Sequence, residues 1–350
     1  MKEMIKELIK RNNPDVYSSG FFYVWSIVLL IGLASCQTPK PTPMSTKLVI
    51  AHRGASGYLP EHSMEAKAMA YAMQPDYIEQ DLVLSKDGIP VVIHDIYLDD
   101  VTDVATRYPD RHRADGRYYV IDFTFEELQS LRVMERFNPK TGQQVYPKRF
   151  PKGVGTFRLH SFAQEIALIQ GLNESTGNTI GIYPEIKNPA FHHNEGQDIA
   201  KITLSILDAH GYHTKDDPCI FQCFDAKELE RVRKELQSDL FLVQLIEHPE
   251  ETQQLKYFAS YADGIGPWYK QLLHSKEATG WTFSPLVAQA HKLGLAVHTY
   301  TLRADQLDEF ESFDEMIQVL YFEAGVDGGF TDFPDLVVRS LQSRKEGASL

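Results

Sequence analysis

Cysteine is scarce in this chain of 350 residues, which has three, at 36, 219 and 223. Cys219 and Cys223 lie four apart in "CIFQCFD", which reads as a strand. Four extended residues span about 13 Å, too far for a disulfide between them. No CxxC pattern or paired-histidine spacing accompanies them, so a zinc site is excluded and both are expected as small buried apolar residues. Positive charge is also short. Lys and Arg total 35 against 48 Asp and Glu, a net of −13. A general nucleic-acid binder needs a basic face for phosphate, so that class is set aside; a small basic pocket within an acidic surface stays open. No GxGxxG turn follows the first apolar run, and no internal repeat is found. What remains is an ordinary globular composition, 43% hydrophobic and 24% charged, enough for one large α/β domain or two smaller ones.

A long apolar run is missing as well. The longest, "GFFYVWSIVLLIGLAS", has about 16 residues, below the roughly 20 that a spanning helix needs. It follows a charged start and ends in small residues, the pattern of a secretory signal over 1–36. Leu33-Ala34-Ser35-Cys36 resembles a bacterial lipobox, in which Cys36 is lipidated and becomes the new N-terminus. The alternative is an uncleaved membrane anchor, which leaves the rest of the chain on the same side. Residues 37–46, rich in proline and small polar residues, read as an extended tether. The expected location is the periplasmic face of a bacterial membrane, held by lipid. Gln37 resembles the outer-membrane-sorted kind.

From residue 47 onward, short apolar runs alternate with amphipathic segments. "LVIAHRG", "YIEQDLVLS", "VVIHD", "IGIYPEIK", "CIFQCFD", "LFLVQLIE", "DGIGPW", "LAVHTYT" and "VDGGFTDFP" are strand candidates. "MEAKAMAYAM", "QDIAKITLSILDAHG", "AKELERVRKELQ" and "SPLVAQAHKLG" are helix candidates. Alternation of this kind predicts a parallel sheet with crossover helices, and about eight strands fit a (β/α)8 TIM barrel over 47–342. A doubly wound sheet is the runner-up. Residues 99–160, polar and rich in Arg, Asp and Gly, interrupt the rhythm and read as a small inserted segment at the active-site face. Residues 343–350 are expected as a tail.

Polar residues gather at the ends of the strand candidates, which in a barrel meet on one face. Glu79 and Asp81 are two apart, hence on one face of a strand. Paired carboxylates repel unless a cation lies between them; the alternative is a solvated strand face. Glu185 and Lys187 repeat the spacing. Glu185 would complete a hard oxygen site and leave Lys187 for a phosphate, or the two form a plain salt bridge. His52 and His94 end separate strands, where two near-neutral imidazoles can serve as acid and base. Arg53 suits a bidentate grip on phosphate. Glu61 is either a further site carboxylate or the cap of a helix starting near Ser63. Gln222, Trp268 and Tyr300 are pocket candidates. His192 and His193 read as loop residues, and His298 as barrel lining.

The blocks "HRGASGYLPEHS", "YIEQDLVLSKDGIPVVIHD", "IGIYPEIKNPAFHHNEG", "QCFDAKEL", "LVQLIE", "YADGIGP" and "GGFTDFP" resemble the bacterial glycerophosphodiester phosphodiesterase family, and look closest to its periplasmic branch. The resemblance covers nearly all of 47–340. It implies a (β/α)8 barrel with an insertion and His52 and His94 as the acid–base pair. It implies one divalent ion held by Glu79, Asp81 and Glu185, with Arg53 and Lys187 near the phosphate. It adds calcium as the ion, whereas ligand type alone says Ca2+ or Mg2+. The substrate's glycerol hydroxyl is expected to attack phosphorus, one histidine taking its proton and the other protonating the leaving alcohol. Water then opens the cyclic phosphate, giving glycerol 3-phosphate and an alcohol such as choline or ethanolamine. Two alternatives stand beside this. One is cleavage of lysophospholipids, which needs an apolar groove beside the pocket, with Trp268 and Tyr269 as its candidate lining. The other is a surface-displayed binding protein.

Overall fold

The apolar runs become strands because both of their faces can be buried. In the computed structural model, which describes residues 47–278 and 280–347, they are β1 (Leu48–Ala51), β2 (Tyr77–Leu84), β3 (Pro90–Val92), β4 (Gly181–Ile186), β5 (Ile220–Cys223), β6 (Phe241–Ile246), β7 (Gly264–Pro267), β8 (Leu273–Glu277), β9 (Gly280–Phe283), β10 (Ala296–Leu302) and β11 (Gly328–Thr331). The leader, Cys36 and the tether lie outside the described residues. Nine strands share one sheet, in the order β1-β11-β10-β7-β6-β5-β4-β2-β3, and β1 also pairs with β2. Leaving out the antiparallel β3, eight parallel strands close on themselves, the expected (β/α)8 barrel. β8 and β9 form a separate hairpin.

The expectation for "VVIHD" needs correction. It is not a barrel strand: β3 turns back on β2, with Leu82 opposite Val92. Ile93 N then donates to Asp81 O at 2.9 Å. A run of Val and Ile looks the same in either role, since each buries both faces; only its partner distinguishes them. His94 therefore reaches the barrel mouth on an antiparallel return beside Asp81.

Local signals set the helix ends. Phe162–Thr176 begins with a capping box between Ser161 and Gln164 and stops at Gly177, whose φ of 75° suits glycine. Pro334–Gly347 continues past residue 342, where the tail was expected to begin. His192 and His193 lie in a short helix, Pro189–Asn194, not a loop. Inside the barrel, Tyr183 stacks on Phe330 (ring centroids 5.0 Å apart), and His298 Nδ1 meets the Tyr183 hydroxyl at 2.9 Å. Gly181 is required there, because a Cβ would stand 2.4 Å from the Tyr77 ring. These aromatics plug the barrel below its mouth. Segment 99–160 has its own apolar cluster, including Val101, Val120, Phe123, Leu128 and Phe157, continuous with Val91 and Ile93. Cys219 and Cys223 are free and buried.

One buried ion pair ties the first helix to the sheet. Lys67 is fully buried, with its Nζ on the Glu79 carbonyl and 3.1 Å from Glu165 Oε1. Glu165 also meets His160 Nε2 at 2.7 Å and Gln80 Nε2 at 2.8 Å. Burial alone would raise the Glu165 carboxyl, but Lys67 and these two hydrogen bonds outweigh it and hold the pKa down to about 2. Its stabilisation is complete above the ordinary carboxylate pKa and is lost as pH falls toward the folded value. Lys67→Met is expected to reduce unfolding free energy by about 3–5 kcal/mol, because it strands a buried carboxylate. Urea unfolding at neutral pH measures this, and the deficit should shrink between about pH 5 and pH 2.

Candidate active site

β1 ends at the barrel mouth and delivers His52 and Arg53. Arg53 takes a left-handed backbone (φ 58°), uncommon for a residue with a side chain, and this turns its N–H onto Glu79 Oε2 at 2.7 Å. The loop then folds back through Gly54, where a Cβ would press within 2.9 Å of the Ala66 backbone. His62, also left-handed (φ 58°), puts its Nε2 2.7 Å from Asp81 Oδ2.

Sheet register assembles the acidic centre. Asp81 on β2 pairs with Glu185 on β4, and Glu185 pairs with Gln222 on β5. Neighbouring strands stand about 4.8 Å apart, so the three side chains form a row, with Glu79 on the same face of β2 as Asp81. One carboxylate oxygen from each of Glu79, Asp81 and Glu185 lies within 4.8 Å of the others. All three residues are buried. Burial, compounded by Asp81, pushes Glu79 well above the usual carboxylate range. Burial likewise raises Glu185 to about 8 against the pull of Lys187. Asp81 goes the other way, because Lys187, His94 and His62 together outweigh its burial. Lys187 Nζ lies 2.6 Å from Glu185 Oε1 and 3.7 Å from Asp81 Oδ1. The Lys187 ammonium and the Arg53 guanidinium, whose Nε lies 3.5 Å from Asp81 Oδ2, thus face three carboxylates, and Asp81 Oδ1 is buried with no hydrogen bond donated to it. Hard oxygen donors, an excess of negative charge and an orphaned acceptor fit a divalent cation of the Ca2+ or Mg2+ type.

The two histidines flank this centre in matching ways. His52 Nδ1 meets Asp332 Oδ1 at 2.5 Å, and its Nε2 lies 3.9 Å from Glu79 Oε2. His94 Nδ1 meets Asp95 Oδ1 at 2.8 Å, and its Nε2 lies 3.4 Å from Lys187 Nζ. A carboxylate on Nδ1 holds the proton there and leaves Nε2 as the acceptor facing the cleft. Burial and the charge of Arg53 lower both imidazoles to about 4, aided at His94 by Lys187.

The cleft holds about 200 Å3 and is lined by His52, Arg53, Glu79, Asp81, His94, Glu185, Lys187, Gln222, Trp268 and Tyr300. Phe224, Leu245 and Phe330 form an apolar wall. Gln222 Nε2 reaches Glu79 Oε1 at 3.5 Å, and the Tyr300 hydroxyl is tied to Ile246 O at 2.8 Å. Trp268 is 41% exposed at the rim.

Two expectations fail. Glu61 neither lines the cleft nor caps a helix, for the cap is Ser63. Instead Glu61 lies behind Arg53, accepting from Arg53 Nη1 at 3.0 and 3.1 Å and from Arg136 at 2.7 and 3.0 Å. Tyr269 is buried and bonds Asp308, so it lines no groove at the cleft. Reasoning from sequence also missed partners. Arg303 lines the cleft and donates to Asp332 at 2.8 Å; it follows β10, where the strand-end signal could have found it. Arg136 and Arg149, within an Arg-rich segment, carry no such signal.

Comparison with known proteins identifies the family. The sequence pattern of the Glycerophosphoryl diester phosphodiesterase family matches residues 52–336. A glycerophosphodiester phosphodiesterase from Haemophilus influenzae is 47% identical, over 89% of this chain and 96% of that protein. One from Treponema pallidum is 38% identical, over 91% and 96%. Among solved structures, a protein from Silicibacter pomeroyi superposes with a TM-score of 0.66 at 24% identity, covering 86% of this chain and 94% of that one. An Oleispira antarctica phosphodiesterase, solved with its product sn-glycerol-3-phosphate, superposes with a TM-score of 0.60 at 19% identity, covering 85% and 97%. With the motif blocks gathered at one barrel mouth, and with relatives of this identity along nearly their whole length, the chain belongs to the glycerophosphoryl diester phosphodiesterase family.

Proposed function

We propose that the protein hydrolyses glycerophosphodiesters, such as glycerophosphocholine and glycerophosphoethanolamine, to glycerol 3-phosphate and an alcohol. The observation that carries this reading is the row of Glu79, Asp81 and Glu185 between two histidines, each with its Nδ1 engaged by an aspartate. The relatives from Haemophilus influenzae and Treponema pallidum bear the name of that activity.

Glu79, Asp81 and Glu185 would hold one divalent cation, Ca2+ by the family resemblance or Mg2+ by donor type. Such an ion supplies Lewis-acid stabilisation of phosphoryl oxygens and lowers the pKa of a nearby hydroxyl. Arg53 and Lys187 orient the phosphodiester and offset charge that grows on its oxygens in the transition state. One histidine Nε2 takes the proton of the glycerol hydroxyl as that oxygen attacks phosphorus. The other histidine protonates the departing alcohol oxygen, and a water molecule then opens the cyclic phosphate. Phe224, Leu245 and Phe330 keep bulk water from one side of the cleft. A second reading, cleavage of lysophospholipids, is favoured by a groove of about 510 Å3 beyond Trp268, lined in part by Pro249, Leu273, Pro285 and Leu286.

The location proposed is the periplasmic face of a bacterial membrane, through a lipid on Cys36. Its support is the charged start, the short apolar run, the lipobox-like Leu33-Ala34-Ser35-Cys36 and the proline-rich tether. No helix among the described residues is long and apolar enough to cross a membrane.

Three outcomes are expected. Release of glycerol 3-phosphate from glycerophosphocholine should stop with EDTA and return with Ca2+, or with Mg2+ if that is the resident ion. The returning ion should raise the thermal midpoint, by about 2.7 kcal/mol of stability at a hundredfold excess over its Kd. No turnover with any ion would turn attention to a long-chain lysolipid, assayed in parallel. Second, His52→Ala and His94→Ala should each lower kcat by about 10^2–10^4 while cation binding, followed calorimetrically, persists. Turnover that survives both substitutions would defeat the acid–base assignment. Third, Cys36→Ser should move the protein from the membrane to the soluble fraction; membrane retention would instead support an uncleaved anchor.

A further inference from the structure

Segment 99–160 contributes no described side chain to the cleft, yet two of its arginines, Arg149 buried and Arg136 half-buried, lie directly behind it. The Arg149 side chain is 4% exposed. Its Nη2 donates to Asp332 Oδ2 at 2.7 Å, and its Nε and Nη2 clasp Asp305 at 2.8 and 3.0 Å. Asp332 presents its other oxygen to His52 Nδ1. The Arg136 side chain is 16% exposed. Its Nη1 donates to Asp95 Oδ2 at 2.7 Å, while its Nε and Nη2 clasp Glu61. Asp95 presents its other oxygen to His94 Nδ1, and Glu61 carries Arg53. Each imidazole is thus followed by one aspartate and then by one arginine of the same inserted segment.

A carboxylate bonded on both oxygens to charged or ring N–H groups cannot rotate without losing a strong hydrogen bond. The aspartate alone leaves that rotation open; the guanidinium closes it. We propose that Arg136 and Arg149 are positioning residues, through which the inserted segment fixes the orientation of His94 and His52. Neither arginine lines the cleft, so neither touches substrate there. The two sites differ in one respect. Asp332 keeps a second guanidinium, Arg303, when Arg149 is removed, whereas Arg136 is the partner that serves both Asp95 and Glu61. Loss of Arg136 should therefore cost more. This proposal rests on the reading of His52 and His94 as the acid–base pair.

The test uses the full chain with glycerophosphocholine and saturating cation. Arg136→Ala and Arg149→Ala should each lower kcat by about 10–100-fold, the former more, with KM changed less than threefold. Guanidinium at non-denaturing concentration should restore part of kcat in both variants and none in His52→Ala. Arg158→Ala, in the same segment but bonded to the Ser130 carbonyl at the surface, should keep wild-type kinetics. If an alanine variant fails to fold, Arg136→Lys and Arg149→Lys keep the charge but lose the planar fork that spans two carboxylates, and should reproduce part of the kcat loss. Wild-type kcat in the folded arginine variants, a change confined to KM, or a loss shared equally by Arg158→Ala would overturn the proposal. A parent enzyme without turnover would instead overturn the functional reading on which it rests.

Discussion

Burying carboxylates beside one another is the condition that the barrel mouth has to satisfy. Glu61, Glu79, Asp81, Glu185 and Asp332 are all buried within it. A buried charge left unpaired costs several kcal/mol, so each must meet a cation, accept hydrogen bonds or stay protonated. Most of the mouth is organised by that demand. Arg53 and Arg136 answer Glu61, and Arg149 and Arg303 answer Asp332. The remaining trio has Lys187, the Arg53 guanidinium and backbone N–H, and His62. That is too little to keep all three ionised, and burial pushes Glu79 and Glu185 toward their protonated forms. The shortfall is the chemical property of the site: it favours binding of a divalent cation among the three carboxylates.

The scaffold converts this charge pattern into direction. A parallel sheet closed into a barrel puts the ends of non-adjacent sequence segments in register, so Asp81, Glu185 and Gln222 stand in a row although more than a hundred residues separate the first from the last. The aromatic plug of Tyr183, Phe330 and His298 closes the barrel beneath, which keeps the cleft shallow and on one face. The fully buried Lys67 and Glu165 lock the first helix against β2 from outside, on the face opposite the carboxylates. A site that concentrates like charges needs such a rigid frame, since relaxation would be its easiest release.

Legibility in the sequence followed the range of the interactions involved. Residues two apart on a strand, such as Glu79 with Asp81 or Glu185 with Lys187, share a face by backbone geometry alone, and their convergence could be read directly. His94 was readable as a strand-end histidine but not as part of an antiparallel return, because pairing direction is absent from a run of Val and Ile. Glu61 offered two local readings, and a partner from residue 136 removed both. Tyr269 and Trp268 are neighbours in sequence, yet one is buried on Asp308 and the other stands at the rim.

By itself the sequence determined the alternation of strand and helix, the polar strand ends and the motif blocks that mark the family. These depend on side-chain periodicity and local turn chemistry, which each segment carries within itself. Only the tertiary structure decided which charges meet: Arg136 with Asp95, Arg149 with Asp332, and Lys67 with Glu165. An ion pair is specified by distance in space, and an Arg-rich segment offers many equivalent candidates until packing places two of them behind the histidines.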